Sequence, residues 1–166
     1  MELKWSGDYL EVISPEGYEY ECVHEPDMVL ALPKVEDKYI IRKEVAPAYS
    51  VKGEDRKYWT MISGTVENGE SPLETLRREM GEETPVKPNR VKLLSKKENF
   101  PVLKLTTSRA SFYHFEVLDF DRTKAEGDGS KVERQSEYHF VSKDELKQVA
   151  NSKACDFTIM YCSEIL

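Results

Sequence analysis

Residues 64–86 read GTVENGESPLETLRREMGEETPV, and the local chemistry of that stretch predicts a helix over 72–83. Ser71 is a strong N-cap, Pro72 suits the first helical position, and Glu74 completes a capping box three residues after the serine. Leu73, Leu76 and Met80 recur at i, i+3 and i+7 as an apolar stripe. Pro85 disfavours helical geometry at Thr84, which sets the exit near Glu83. On such a helix Glu79, Glu82 and Glu83 stand at i, i+3 and i+4, three carboxylates within reach of one another. Left unneutralised they repel. A hard divalent cation, Mg2+ or Mn2+, takes oxygen ligands of this kind together with substrate phosphates. Gly64 and Gly69 flank the polar turn ahead of the helix, where a positive φ or a close backbone approach is available.

A helix rich in Glu and Arg is ordinarily a solvated surface. Here the fixed spacing of Gly64 and Glu70 upstream argues for a site instead. The stretch resembles the Nudix box, G-x5-E-x7-R-E-U-x-E-E-x-G-U with U apolar, which marks hydrolases of nucleoside diphosphates linked to another moiety. Gly64, Glu70, Arg78, Glu79, Met80, Glu82, Glu83 and Val86 match without a gap, and Pro85 stands where the family has glycine. The resemblance implies that Glu79 and Glu83 are the principal metal ligands, with Glu82 nearby and the Ser63 backbone carbonyl adding a ligand. It implies that Glu70 steadies the loop and the helix start. Arg78 is no base; it pairs with a box carboxylate such as Glu82 at i+4 and orients it. In the resembling enzymes the general base is a glutamate on the loop before the last strand, which points to Glu133 and next to Glu137. The catalytic set expected by resemblance is therefore Glu133, Glu137, Glu82 and Arg78.

Three further features resemble the ADP-ribose and nucleotide-sugar pyrophosphatase branch. They are the leading segment WSGDYLEVISPEGYEYECVHEPDMVLALP, Pro101 fifteen residues after Val86, and the closing run ERQSEYHFVSKDEL. The branch implies extra N-terminal strands and a homodimer. Two departures stand beside these: Thr60-Met61-Ile62-Ser63-Gly64 replaces a Glu-Leu-Pro-Ala-Gly run, and the Arg42–Gly64 segment is long. The expected activity is Mg2+-dependent hydrolysis of the diphosphate bond of ADP-ribose or a related nucleotide sugar. The alternatives are nucleoside triphosphates, dinucleoside polyphosphates or capped RNA as substrate, or a non-catalytic module that senses nucleotides. Tyr18, Tyr20 and Tyr49 are candidate stacking platforms for the base, and Arg42 and Arg109 candidate phosphate contacts.

Composition is consistent with this reading. A chain of 166 residues with 39% hydrophobic and 33% charged residues suits one globular domain, 1–166, with a leading hairpin over about 1–26. Net charge is −7 and no basic run suggests a duplex nucleic-acid surface. Cys22, Cys155 and Cys162 form no CxxC pair, which fits a reducing cytoplasm. Met1–Leu10 has no apolar core of a signal peptide, and the longest apolar run, Met28 to Pro33, is far too short for a membrane span. His114 and His139 fall in strand-like runs, and neither they nor His24 show metal-ligand spacing.

Pattern along the chain predicts strands at 8–13 and 18–24 around Pro15-Glu16-Gly17, then 28–32, 38–42, 58–62, 91–98, 110–118 and 137–141. Residues 44–57 and 119–134 read as loops. A second capping box, Ser142 and Glu145, starts a helix to about Ala150, and Phe157, Met160 and Tyr161 mark a helix over 156–165. The expected fold class is α/β: a Nudix-type α/β/α sandwich with a mixed sheet, the box helix and the C-terminal helices on opposite faces, and extra N-terminal strands.

Overall fold

A computed structural model describes residues 1–7, 10–45, 57–125, 127, 129, 131–152 and 154–165. Its centre is β4 (Met28–Val35), whose sequence MVLALPKV is apolar almost throughout because it is covered on both faces. A tight turn at Glu36, in the left-handed region with φ 56°, returns the chain into β5 (Lys38–Val45). These two strands pair only beside the turn, Lys34 with Tyr39 and Val35 with Lys38, and then separate. The gap is filled from one segment. β6 (Lys57–Thr60) pairs with β5 and β7 (Ile62–Thr65) with β4, the change of partner falling at Met61.

The other side of β4 pairs in parallel with β9 (Arg109–Arg122), which pairs antiparallel with the edge strand β8 (Val86–Pro101). The opposite edge is β10 (Glu137–Val141) on β5. The order β10-β5-β4-β9-β8, with β6 and β7 attached, makes one mixed seven-stranded sheet. Helix α1 (Pro72–Glu83) covers one face, where Leu76 and Met80 pack among Ala31, Ile40, Ile62 and Phe115. Helices α3 (Lys143–Ala150) and α4 (Phe157–Ile165) cover the other, where Leu146, Ile159 and Cys162 pack with Leu32, Ile41 and Phe112. A short α2 (Lys131–Gln135) precedes β10. The α/β/α arrangement and the opposite placement of box helix and C-terminal helices are as expected.

Both capping boxes form, Ser71 with Glu74 and Ser142 with Glu145, and α1 ends at Glu83. Several boundaries differ from the sequence reading. The N-terminal piece is a separate three-stranded sheet, β1 (Glu2–Ser6), β2 (Glu11–Ser14) and β3 (Cys22–His24), so a strand was missed at the start and residues 18–21 are not extended. It joins the body through Val23, whose N–H donates to the Leu105 carbonyl at 2.8 Å and whose carbonyl accepts from Thr107 N–H at 2.9 Å. The single strand expected at 58–62 is two, because its halves serve different neighbours. The loop expected at 119–134 is shortened by β9, which runs to Arg122, and by α2.

Two helical faces are also rotated from expectation. On α1 the buried set is Thr75, Leu76, Glu79 and Met80, while Leu73 is exposed. On α4, Thr158, Ile159 and Cys162 are buried, and Met160 and Tyr161 are largely outside. Leu73 and Met160 sit at exposed helix positions, while Tyr161 keeps one ring contact with Phe112 of β9, centroids 5.4 Å apart, and is otherwise open. The loop expected at 44–57 lies mostly outside the described residues.

The exit of α1 depends on Thr84, fully buried, whose hydroxyl donates to the Met80 carbonyl at 2.7 Å and accepts from Val86 N–H at 3.1 Å. Thr84→Val keeps the volume and removes both bonds. It is expected to lower unfolding free energy by about 1–3 kcal/mol in urea denaturation, and an unchanged midpoint would show that the two hydroxyl bonds do not hold the helix exit.

Candidate active site

Arg78 is the hub of the helix's acidic face. Its Nε and Nη2 donate to the two oxygens of Glu70 at 3.1 and 3.2 Å, a bidentate pair. Nη1 donates to Glu79 Oε1 at 2.7 Å and Glu82 Oε2 at 3.2 Å, and Nη2 also reaches the Thr65 carbonyl at 3.0 Å. The expected i+4 pair with Glu82 is therefore present, beside a closer contact to Glu79. Glu70 accepts in addition from the Thr75 hydroxyl at 2.8 Å and the Glu67 N–H at 3.3 Å. The Arg78 hydrogen bonds first, then that of Thr75, hold the Glu70 carboxyl well below its ordinary value, at about 2.

Gly64 enters this group through its missing side chain. A Cβ there would lie 1.9 Å from Glu79 Oε1 and 2.3 Å from its Cγ, so only glycine lets the β7 backbone pass the buried carboxylate. Ser63 and Gly64 lie on β7 opposite Leu30 and Val29 of β4, which fixes the height of that backbone against α1.

Glu83 is held differently. Its Oε1 pairs with Arg42 Nη1, which also meets Glu44 Oε1 at 2.8 Å, and the Tyr58 hydroxyl donates to Glu44 Oε2 at 3.3 Å. Arg42 and Glu44 share a face of β5, and Tyr58 is the register partner of Glu44 on β6. Burial first, then the Glu44 charge, push the Tyr58 hydroxyl well above its ordinary value. Glu83 Oε2 is buried and has no hydrogen-bond partner.

Beside these groups lies a cleft of about 270 Å³ lined by Arg42, Glu82, Glu83, Gly127, Arg134 and Glu137. The segment after β9 forms one wall: Thr123 N–H donates to the Pro85 carbonyl and Gly127 N–H to the Glu82 carbonyl, each at 3.0 Å. Glu137 stands at the mouth, paired with Lys57 and 3.5 Å from His139 Nε2. The Lys57 hydrogen bond holds its carboxyl below the ordinary value.

The donor set suits a hard divalent cation. It is made of oxygens alone, includes the unpaired buried Oε2 of Glu83, and contains Glu79 in a cradle that a Cβ at Gly64 would fill. The three carboxylates do not converge as the spacing suggested, and among the described residues no group of three acidic, cysteine or histidine side chains is gathered as a cation site. Like charges have instead divided between two guanidinium groups, Glu79 and Glu82 on Arg78 and Glu83 on Arg42.

The other candidates separate from the cleft. Arg42 is present but buried, 5% exposed and engaged by two carboxylates, rather than offered to a phosphate. Arg109 donates to the Asn99 carbonyl at 2.9 Å and lines a different cavity, with Glu70, Glu98 and Asp27. Tyr18 and Tyr20 lie against each other beside the N-terminal sheet, centroids 5.6 Å apart and ring planes tilted by 52°, and Lys104 sits over Tyr20. Tyr49 lies outside the described residues, as does the side chain of Glu133, whose backbone is in α2. Sequence reasoning missed Glu44, Tyr58, Arg134 and Tyr138. The alternation Arg42-Lys43-Glu44 signals the first of these, whereas Tyr58 and Tyr138 depend on strand register and Arg134 on the short helix α2.

Comparison with known proteins agrees with this geometry. The sequence model of the NUDIX domain family matches residues 39–159, well over half of the chain. The chain belongs to that family, and so is a Nudix hydrolase acting on nucleotide-type substrates, in a family that generally uses divalent cations. A solved crystal structure of an ADP compounds hydrolase is similar in fold, with a TM-score of 0.67 and 17% identity, covering 99% of this chain and 90% of that one. Among curated proteins none matches in sequence.

Two outcomes follow from the Arg78 and Gly64 contacts. Because the folded Glu70 value lies below the ordinary 4.5, its pairing favours the fold above pH 4.5, and that contribution disappears as pH falls toward about 2. Carboxyl-carbon NMR titration should show Glu70 returning toward 4.5 in Arg78→Gln. Gly64→Ala should displace Glu79 and lower stability by about 1–3 kcal/mol. A Gly64→Ala protein with native melting temperature and native cation affinity would contradict the close approach.

Proposed function

We propose that this protein hydrolyses the diphosphate linkage of a nucleoside diphosphate derivative, ADP-ribose or a related nucleotide sugar, with Mg2+ as the cation and Mn2+ as a substitute. The observation that carries the reading is the carboxylate set of α1, of which Glu82 and Glu83 line a cleft together with Glu137 while Glu79 is held beside them by Arg78. Water attacks one phosphorus, the bridging P–O bond breaks, and a nucleoside monophosphate and a sugar phosphate leave. When bound, the divalent cation neutralises diphosphate charge and polarises the phosphoryl oxygen.

The chain's own groups divide the remaining work. Glu79 and Glu83, with Glu82 and the Ser63 carbonyl, are the proposed holders of the cation. Arg78 orients Glu79 and Glu82, and Glu70 anchors Arg78 in turn. Arg42 positions Glu83 from behind. The proton of the attacking water goes to a carboxylate outside the box, Glu133 or Glu137. Pairing with Lys57 keeps Glu137 ionised but makes it the weaker acceptor, which favours Glu133. By resemblance we place the protein in the cytoplasm as a homodimer. Among the described residues no helix is long and apolar enough to cross a membrane.

The test is a panel of ADP-ribose, other nucleotide sugars, nucleoside triphosphates, dinucleoside polyphosphates and capped RNA with Mg2+ or Mn2+, products resolved by chromatography. Preferred cleavage of the diphosphate-linked sugars supports the reading, preference for another class moves the substrate, and binding without cleavage of any indicates a sensor. Glu133→Gln should lower kcat by about 10²–10⁴-fold with cation affinity and melting temperature unchanged. If turnover survives in Glu133→Gln and falls in Glu137→Gln, the proton acceptor is Glu137.

A further inference from the structure

A second cavity, about 600 Å³, lies on the α1 face of the sheet beyond the reaction cleft. Its aromatic lining is Phe120 at the end of β9 and Tyr138 and Phe140 on β10. Tyr138 lines the reaction cleft as well, so the two spaces meet across its ring. Tyr138 and Phe140 are 43% and 39% exposed, a large uncovered area for two neighbouring rings. Their planes stand at 90° with centroids 6.3 Å apart, forming a corner rather than a stack. A flat ring inserted there meets one face and one edge, both favoured aromatic geometries.

We propose that this aromatic corner is the site for the purine base of the substrate. The inference rests on the diphosphate reading of the neighbouring cleft and adds to it which part of the substrate lies where. Three observations favour a nucleobase. The volume suits a small-molecule site with a few polar groups among aromatic walls. The polar groups are present: the Glu36 and Asp37 carboxylates line the cavity as acceptors for an exocyclic amine, and Lys38 and Arg122 as donors to ring nitrogens or ribose oxygens. The reach is also right. Along β10, Tyr138 lies opposite Arg42 and Phe140 opposite Ile40. A step of two residues on a strand is about 7 Å, the scale of the ribose that separates a base from its first phosphate. The candidate tyrosines of the sequence, Tyr18 and Tyr20, lie instead beside the N-terminal sheet and line neither cavity.

The experiment uses adenosine, which carries the base and ribose but no phosphate and needs no cation. Adenosine titrated into the full chain, followed by two-dimensional NMR, should perturb Phe120, Tyr138 and Phe140 first. Phe140→Ala, at a part-exposed position, should weaken adenosine binding by roughly tenfold, the scale of one lost base stack. The same substitution should raise KM for a nucleotide sugar by a similar factor, with inosine, which lacks the amine, binding more weakly to the unaltered protein. Phe120→Ala is the second variant, should Phe140→Ala melt at a lower temperature. Adenosine that fails to bind, that perturbs residues near Tyr18 and Tyr20, or that binds both variants with native affinity overturns the proposal. A chain that cleaves nucleotide sugars with native KM in both variants keeps the proposed function and loses this site. A chain that cleaves nothing yet binds adenosine here keeps the site and loses the function.

Discussion

One guanidinium joins three pieces of backbone. Arg78 projects from the middle of α1, holds Glu70 in the preceding turn, reaches the Thr65 carbonyl at the end of β7, and holds Glu79 and Glu82 on its own helix. Remove it and the turn, strand and helix lose their one shared polar partner, leaving the Gly64 approach, the Ser71 cap, the Thr75–Glu70 bond and the apolar packing of Leu76 and Met80 on Ile62. The Glu79 carboxylate is 9% exposed, so its charge is tolerable only beside a partner. The Nudix box pattern can be understood in these terms: Gly64 opens space for Glu79, Glu70 engages Arg78, and Arg78 aims the acidic residues that follow.

The second guanidinium works through a longer chain. Arg42 is fixed by Glu44, and Glu44 by Tyr58, so Glu83 is oriented from the β5–β6 strand pair. That strand pair exists because β4 and β5 separate after their turn and admit β6 and β7 between them. The break at Met61 thus has a consequence for chemistry: it delivers Gly64 to one end of the acidic face and Tyr58 to the support of the other.

What could be read from the sequence was local. The box helix, both capping boxes and the exit at Glu83 follow from contacts within a few residues, and the structure reproduces them. The face each helix buries was harder, because Leu73 and Thr75 are equally allowed by helical geometry and only the sheet beneath selects Thr75. Arg42 illustrates the same gap for the site. A lone arginine on a strand reads as a phosphate contact, and only the register with β6 and the approach of α1 reveal two carboxylates waiting for it. The strand β1 was illegible because its partner is set by a small separate sheet, and its five residues are all exposed, with little alternation to detect.

The charge of the cleft constrains how any guest enters. Its walls carry Glu82, Glu83 and Glu137 against Arg42 and Arg134, and Arg42 already answers to Glu44 as well. The chain as a whole is at −7. A diphosphate approaching such a surface alone would be repelled, since Arg42 is already paired with carboxylates and the net charge of the chain is negative. Under the proposed function the guest is therefore admitted as a complex with a divalent cation, whose charge answers both the diphosphate and the freed carboxylates. Affinity for the remainder of the molecule must then come from surfaces outside the acidic walls. Aromatic rings left open next to the cleft have the right character for that work, because stacking needs no charge and is not weakened by the acidity around it.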